Sequence, residues 1–310
     1  MIGYILTSGN KLNAFFILSG IEGSGKGTAD KIISSIFRSD KVGRLPLHEL
    51  TPENKFATAH LENKQVNIVS DSAKKPIEDT GMLKAITGYD DIPVEPKGKD
   101  KYVIPKEEVP DMIVVCNNIP KFKDGIEEAV VQRVVIFEFL NQFRNTKKQN
   151  KNLLQEILDN PEEMEWLIYN GIEAYKKMIS ENNDFKARID SEKARKLIGK
   201  HTDPISFILP QLVKYSDEDI SDEEPVVAYE LKELIMHVAK DEGLAIDHID
   251  TNGQINARFL VGEIRDVFEI NNEWTTKLAS VEGYDNSVTI YPKLYKTPKF
   301  NELWEKIKTK

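Results

Sequence analysis

Short apolar runs with the length of buried strands alternate along the chain with longer stretches that have apolar residues at helical spacing. Strands are predicted from four runs, at residues 15–18, 65–70, 112–116 and 129–139. The first is followed by a helical face formed by Ile32, Ile33, Ile36 and Phe37, and further helices are predicted at 51–61, 78–87 and within 152–180. This alternation predicts an α/β fold.

A glycine-rich turn, GIEGSGKGT at residues 20–28, joins the first strand to its helix. Glycines let the backbone approach an oxyanion closely, and the start of the helix points free N–H groups at the same anion. Lys26 adds a positive charge, and the spacing fits the Walker A pattern, although Gly27 takes the place of the usual Ser or Thr. The turn predicts a phosphate site made of Gly20, Gly23, Ser24, Gly25, Lys26, Gly27 and Thr28.

Three polar residues near the later strands are candidates for the chemistry on that phosphate. Asp71 directly follows a strand, and with a phosphate loop upstream we expect a Walker B carboxylate that holds Mg²⁺ together with Thr28. Asn117 ends another strand and is compatible either with contact to the γ-phosphate or attacking water, or with an ordinary turn. Arg133 interrupts an apolar run, where it needs an anionic partner; an arginine finger meets that need.

Residues 92–104 are strand-like on both sides of Lys97-Gly98-Lys99-Asp100 and predict a β-hairpin with a basic tip. Lys97, Lys99 and Lys101 fall at alternate positions, which places three positive charges close together. Such a concentration of charge is favourable beside a polyanion, so we expect these lysines to bind DNA.

Composition narrows the class of protein. The 310 residues have room for two or three domains, and no apolar run approaches the roughly 18 residues of a membrane span. A single cysteine, Cys116, excludes an internal disulfide framework and fits the cytoplasm. The net charge of −9 argues against general coating of nucleic acid but leaves room for a local cationic surface.

The C-terminal half predicts two further regions. Residues 152–180 are helical, with Trp166 and Tyr169 expected in the core, and an acidic run at 217–224 suggests a linker. Helices at 228–239 and 256–268, followed by a hairpin at 274–291, suggest a winged helix that contacts either DNA or protein. We therefore expect domains at 1–145, 146–215 and 216–310.

The motifs, in this order, resemble the superfamily 3 helicases, in particular the phage and plasmid primase-helicase branch that includes the poxvirus primase-helicases. The segments that carry the resemblance are IGYILTSGNKLNAFFILSGIEGSGKGT (Walker A), KFATAHLENKQVNIVSDS (Walker B), LKAITGYDDI (motif B-prime), VVCNNIP (motif C) and VVQRVVIFEF (arginine-finger strand).

The resemblance implies an AAA+ type P-loop NTPase core with a helical connector and a C-terminal winged-helix domain. It implies a replicative DNA helicase or translocase of a virus, phage or plasmid, which uses ATP and Mg²⁺ and acts as a hexameric ring on single-stranded or forked DNA. Lys26, Asp71 and Asn117 (sensor 1) would act in one subunit and Arg133 in the next, while Lys99 would grip DNA in the central pore. A primase domain or subunit is a further expected partner.

The chain departs from this family at three positions. Asp71 stands where Glu is common, Gly27 alters the Walker A motif, and Glu95 takes a place often held by Arg. The family also carries helices ahead of the first strand and often a primase domain, so we expect a fragment or a minimal, split gene product.

Two other functions compete with the helicase interpretation. Adenylate kinases share the spelling GSGKGT, but their arginine-bearing lid and DGFPR-like segment are missing and the chain is too long. A replication initiator or scaffold that binds ATP without unwinding DNA is the alternative that the altered Walker A motif leaves open.

Overall fold

The computed structural model describes residues 1–7, 11–51, 53–70, 76–123, 126–182, 184–218, 224–271, 273–281 and 283–308. Within these ranges the chain divides into two compact units, Met1–Thr202 and Asp203–Lys310. The predicted domain boundaries at residues 145 and 215 remain predictions. Among the described residues, no helix is both long enough and apolar enough to cross a bilayer.

The described part of the first unit contains seven strands: β1 (Phe15–Gly20), β2 (Val42–Gly43), β3 (Val66–Ser70), β4 (Ile92–Val94), β5 (Tyr102–Ile104), β6 (Asp111–Cys116) and β7 (Val134–Phe139). Its α-helices are α1 (Ile2–Ile5), α2 (Lys26–Ser35), α3 (Gly81–Ile86), α4 (Glu128–Val131), α5 (Leu153–Leu158), α6 (Pro161–Ser180) and α7 (Ser191–Thr202).

Five of these strands form a parallel sheet in the order β2-β3-β6-β1-β7. Parallel strands are covered on both faces, which explains why β1 and β6 consist almost entirely of apolar residues. Along β1, Phe15 and Ile17 pack into one core cluster, whereas Phe16 and Leu18 pack into another. The central sheet confirms the predicted α/β fold and the strands predicted at 15–18, 65–70 and 112–116.

The strand predicted at 129–139 is wrong over its first residues. The structure has the short helix α4 at Glu128–Val131, and β7 begins only at Val134, so Arg133 lies in the turn between them. Val130 and Val131 are buried in the same core cluster as the strands. A short buried apolar run has no periodicity that separates a helix from a strand.

Two predicted core positions are also wrong. Trp166 and Tyr169 are each 64% exposed, and helix α6, which carries them, has no buried residue along its length. Among the described residues, the helix predicted at 51–61 is present only as the 3₁₀ helix Ala57–Leu61.

The second unit combines helices with a small antiparallel sheet. Its elements are α8 (Pro204–Leu212), β8 (Val213–Tyr215), β9 (Pro225–Val227), α9 (Ala228–Asp241), α10 (Ala257–Val267), β10 (Lys277–Ala279), β11 (Val288–Lys296) and α11 (Pro298–Lys308). Strands β8, β9 and β10 all pair with β11. The two predicted helices and the predicted hairpin are present, although β11 extends beyond the predicted end.

One of the buried acids of the first unit has no described partner. Asp111 opens β6 and is 0% exposed, and neither of its carboxyl oxygens has a hydrogen-bond partner among the described residues. Burial holds the pKa of Asp111 well above its usual range. The folded chain therefore keeps this proton at pH values where the unfolded chain has lost it.

We expect Asp111→Asn to stabilise the protein, with a gain that grows as the pH rises above about 4. Above that pH the folded wild type binds one proton more than the unfolded chain, so its free energy of unfolding falls by about 1.4 kcal/mol per pH unit until the raised pKa is reached. Thermal or urea unfolding at several pH values measures the difference. Asp159→Asn, at an exposed position in the same unit, is the control. If Asp111→Asn raised the free energy of unfolding by the same amount at every pH, the prediction would be contradicted.

Candidate functional site

The glycine-rich turn follows the carboxyl end of β1 and leads into helix α2, with Gly25 as its N-cap. Gly20, Gly23 and Gly25 have φ values of 147°, 75° and 97°. Residues other than glycine rarely adopt these backbone conformations. The first turn of α2 carries N–H groups without intrahelical acceptors. A glycine turn followed by such a helix start is an anion-binding arrangement.

Residues 139–144 form a wall against this turn, which we call the loop wall. A Cβ on Gly20 would lie 2.2 Å from the carbonyl oxygen of Phe139, and one on Gly23 would lie 2.4 Å from the Cβ of Arg144. The N–H groups of Phe143 and Arg144 donate to the Gly23 carbonyl at 2.9 and 3.1 Å. The sequence interpretation missed this wall, because it lies more than a hundred positions further along the chain.

Lys26 is folded into the turn and is only 6% exposed. Its Nζ donates to the carbonyl oxygens of Gly20 and Ile21, each at 2.7 Å, and to Ser24 Oγ at 3.3 Å. Burial lowers the pKa of Lys26 to about 8. A phosphate at this turn would favour the charged ammonium, since an opposite charge nearby counteracts desolvation.

A polar network that the sequence did not reveal attaches α2 to the end of β3. The buried carboxylate of Asp30 accepts hydrogen bonds from Arg44 Nη1 at 2.9 Å, Ser34 Oγ at 2.9 Å and Ser70 Oγ at 2.5 Å. Arg44 also donates to the carbonyl of Ile68 at 3.0 Å. The network thus fixes the residue that directly precedes Asp71 against the helix that carries Thr28.

The candidate magnesium ligands are only partly covered by the structure. Thr28 lies half-buried in the first turn of α2, whereas Asp71 lies outside the described residues. Among the described residues, no group of three or more His, Cys, Asp or Glu side chains could hold a metal ion. The role of Asp71 remains a prediction.

Asn117 lies at the same sheet edge as the glycine turn. It directly follows β6, whose Cys116 is in register with Ser19 of β1. The hydroxyl oxygen of Ser19 lies within hydrogen-bond distance of the Asn117 carbonyl, at 3.3 Å, and the Asn117 residue is exposed. The fold therefore brings Lys26, Thr28 and Asn117 to one edge.

Arg133 lies at the opposite edge. Val134, the next residue, pairs with Phe15 at the start of β1, while the glycine turn follows the end of that strand. At roughly 3.3 Å per residue, the length of β1 puts about 16 Å between them. Arg133 Nη1 instead donates to the carbonyl of Ala129 at 2.7 Å. Within one chain, Arg133 does not reach the phosphate loop.

The basic hairpin is formed by β4 and β5, which pair antiparallel from Ile92↔Ile104 to Val94↔Tyr102. Lys97 and Lys99 are exposed at its tip, and neither has an ion-pair partner within the part of the chain that the structure describes. Lys101 pairs with Glu95 at 2.7 Å, and this hydrogen bond lowers the pKa of Glu95. Two of the three predicted DNA-binding lysines thus carry charge that no described acid offsets by direct contact.

Comparison with known proteins gives limited similarities. Residues 18–133 match a family described as a family of unknown function (DUF5906). No curated protein matches the chain.

Similar solved structures include two of the NrS-1 C-terminal region. The A form apo structure has 14% sequence identity and a TM-score of 0.47, covering 94% of this chain and 70% of that one. The apo structure of residues 305–718 has 16% identity and a TM-score of 0.40, covering 90% and 67%. The JCV helicase with a bound small molecule has 14% identity and a TM-score of 0.27, covering 64% and 54%. None of these similarities assigns a reaction to the chain.

We expect Gly20→Ala to destabilise the first unit and to abolish anion binding at the turn. The added methyl meets the Phe139 backbone and requires a left-handed backbone that costs about 1–3 kcal/mol for a non-glycine residue. Gly27→Ala is the matched control, since its Cβ meets nothing within 4 Å. Thermal unfolding of both variants measures the effect, and equal melting temperatures would contradict a wall at Gly20.

Proposed function

We propose that this chain is an ATP-hydrolysing helicase or translocase that acts on DNA and binds ATP at residues 20–28. The single observation that carries the proposal is the loop geometry. Three glycines with positive φ, a helix start and a buried lysine converge after β1. In a phosphate loop, this is where backbone N–H groups hold a triphosphate. The order of motifs, which resembles superfamily 3 helicases, supports the reaction class.

Catalysis here is positioning and charge stabilisation. Lys26 and the first-turn N–H groups hold the β- and γ-phosphates, and Asn117 orients the γ-phosphate or the attacking water from the neighbouring strand. Thr28 and Asp71 would hold Mg²⁺, and Asp71 would also polarise the water. The metal, when bound, neutralises phosphate charge.

Arg133 acts on the site of a neighbouring subunit, so the working form is a ring, which the resemblance gives as a hexamer. Support comes from its position: a guanidinium about a strand length from its own loop cannot serve that loop. In a ring of identical subunits, the opposite edge of one sheet can face the loop of the next.

The hairpin tip contacts the DNA backbone through Lys97 and Lys99. Their exposure supports this role, whereas the ion pair with Glu95 makes Lys101 the weakest of the three. The second unit is a winged helix, in which α9 and α10 precede the β10–β11 hairpin, and it contacts either DNA or protein.

A second candidate is an ATP-binding replication initiator or scaffold that unwinds nothing. The observation that favours it is the displaced hydroxyl: Thr28 stands one helical position beyond the usual place, which turns it by about 100° around α2.

Steady-state ATP hydrolysis, measured with and without single-stranded DNA, distinguishes these functions. We expect turnover that DNA stimulates, and a loss of about 10²-fold or more in Lys26→Ala. Lys31→Ala, at an exposed position on the same helix, is the control and should keep wild-type turnover. Turnover that DNA does not stimulate would favour the scaffold, and a need for a nucleoside monophosphate acceptor would indicate a kinase.

Mixing Arg133→Ala with Lys26→Ala should restore ATP hydrolysis at interfaces that join an intact loop to an intact arginine. Loss of a finger arginine costs about 10³-fold or more in rate, so the recovery is measurable. Native mass spectrometry checks that mixed rings form. Mixed rings without any recovered turnover would contradict a shared site.

Replacing Lys97 and Lys99 together by Ala should weaken binding of single-stranded DNA and flatten its salt dependence. Each lost phosphate contact lowers the log–log slope by roughly 0.7. Lys147 and Lys148, which are exposed and adjacent, give a control double variant with the same change in charge. If fluorescence anisotropy gives the same affinity and slope for the hairpin variant and wild type, the hairpin is only a solvated turn.

A further inference from the structure

A fully buried histidine lies behind the candidate site. His201, near the end of α7, is 0% exposed. Its Nδ1 is 3.1 Å from Ser19 Oγ, and its Nε2 is 2.9 Å from Glu138 Oε1. We call Ser19, His201 and Glu138 the histidine cluster. Ser19 directly precedes Gly20, so the cluster is adjacent to the first residue of the phosphate loop.

The cluster joins three strand ends to one helix. Ser19 lies in β1 and Glu138 in β7, and the carbonyl of His201 accepts from the N–H of Ile119, two residues after Asn117, at 3.0 Å. Ser19 Oγ also lies within hydrogen-bond distance of the Asn117 carbonyl, at 3.3 Å. These contacts link the chain at Asn117 and just after it to Ser19 and to α7.

The available protons decide which of these bonds form. The hydrogen bond from His201 lowers the pKa of Glu138, so this side chain is a carboxylate that only accepts, and Nε2 carries a proton. In a neutral imidazole Nδ1 is then an acceptor, and it takes the single hydroxyl proton of Ser19. In an imidazolium Nδ1 donates to Ser19 Oγ, which frees the hydroxyl proton for the Asn117 carbonyl.

We propose that His201 is a proton-dependent positioning residue for Asn117, which it controls through the hydroxyl of Ser19. Protonation of His201 completes the hydrogen bond from Ser19 to Asn117, and deprotonation withdraws it. The link between this exchange and turnover rests on the proposed ATPase function, whereas the exchange itself does not.

The charged and titratable groups around the cluster are few among the described residues. Glu138 contacts the imidazole directly, and Lys200 Nζ lies 3.6 Å from the same carboxylate oxygen. The buried Cys116 thiol is in register with Ser19, and Lys26 Nζ donates to the carbonyl of the next residue, Gly20. Glu138 is thus the carboxylate that the imidazole contacts, and Lys200 is a cation beside the same carboxylate.

Histidine ring NMR tests the exchange without ATP. The chain has five histidines, and His201→Gln identifies the His201 signals by their loss. We expect Nε2 to stay protonated throughout, Nδ1 to gain its proton as the pH falls, and the backbone amides of Asn117 and Asn118 to shift with the same midpoint. A neutral form protonated on Nδ1, or amides that do not move, would overturn the proposal.

The pH profile of kcat tests the consequence. In the wild type, kcat should fall by about three- to tenfold as the pH rises through the measured midpoint, the size of one hydrogen bond. His201→Gln can still donate to Glu138 and accept from Ser19 but cannot take a proton, so its kcat profile should lack this step while KM stays unchanged. Glu138→Gln should move the step to lower pH.

A third variant keeps the proposal testable if these two fold poorly. Ser19→Ala should leave the titration of His201 visible but remove the response of the Asn117 amide. A response that survives in Ser19→Ala, or a wild-type kcat step in His201→Gln, would overturn the proposal. Absence of ATP hydrolysis in the wild type would instead count against the proposed function, and the NMR titration would still decide the exchange.

Discussion

The parallel alignment of β3, β6, β1 and β7 is the constraint on which the rest of this structure depends. Parallel strands bring every carboxyl end to one edge, so residues far apart in the chain become neighbours there. The glycine turn, Asn117 and the network that ends at Ser70 share that edge for this reason. The same constraint places Arg133 at the other edge, because it precedes its strand rather than following it.

Two buried ionisable groups, one at each edge, differ in their hydrogen-bond partners. Lys26 is desolvated but has three oxygen acceptors within reach, so its ammonium is held as a charged donor at the carboxyl edge. Asp111 is desolvated at the start of β6 and has no acceptor or donor among the described residues. Burial alone favours the neutral form of either group. Hydrogen-bond partners directed at the charged form oppose this effect, and only Lys26 has them, so only Lys26 is suited to bind an anion.

The sequence predicts the central strands and the phosphate loop because these depend on local signals. A continuous apolar run indicates a two-sided strand, and glycine spacing followed by a helix indicates an anion site. Local signals failed at Ala129–Val131, where a short β-branched run is helical, and at Trp166, where an aromatic residue is exposed. Contacts between distant segments gave no signal at all: Ser19 and His201 meet although they lie 182 positions apart.

The loop wall also bears on protein engineering. The glycine turn can be recognised as a short motif, but its shape is completed by residues 139–144, whose atoms occupy the space that Cβ atoms on Gly20 and Gly23 would take. A graft of residues 20–28 into another sheet would leave that side of the turn without its two hydrogen bonds from Phe143 and Arg144. The transferable module is therefore the turn together with the strand end beside it, and a design that moves one without the other moves an incomplete part.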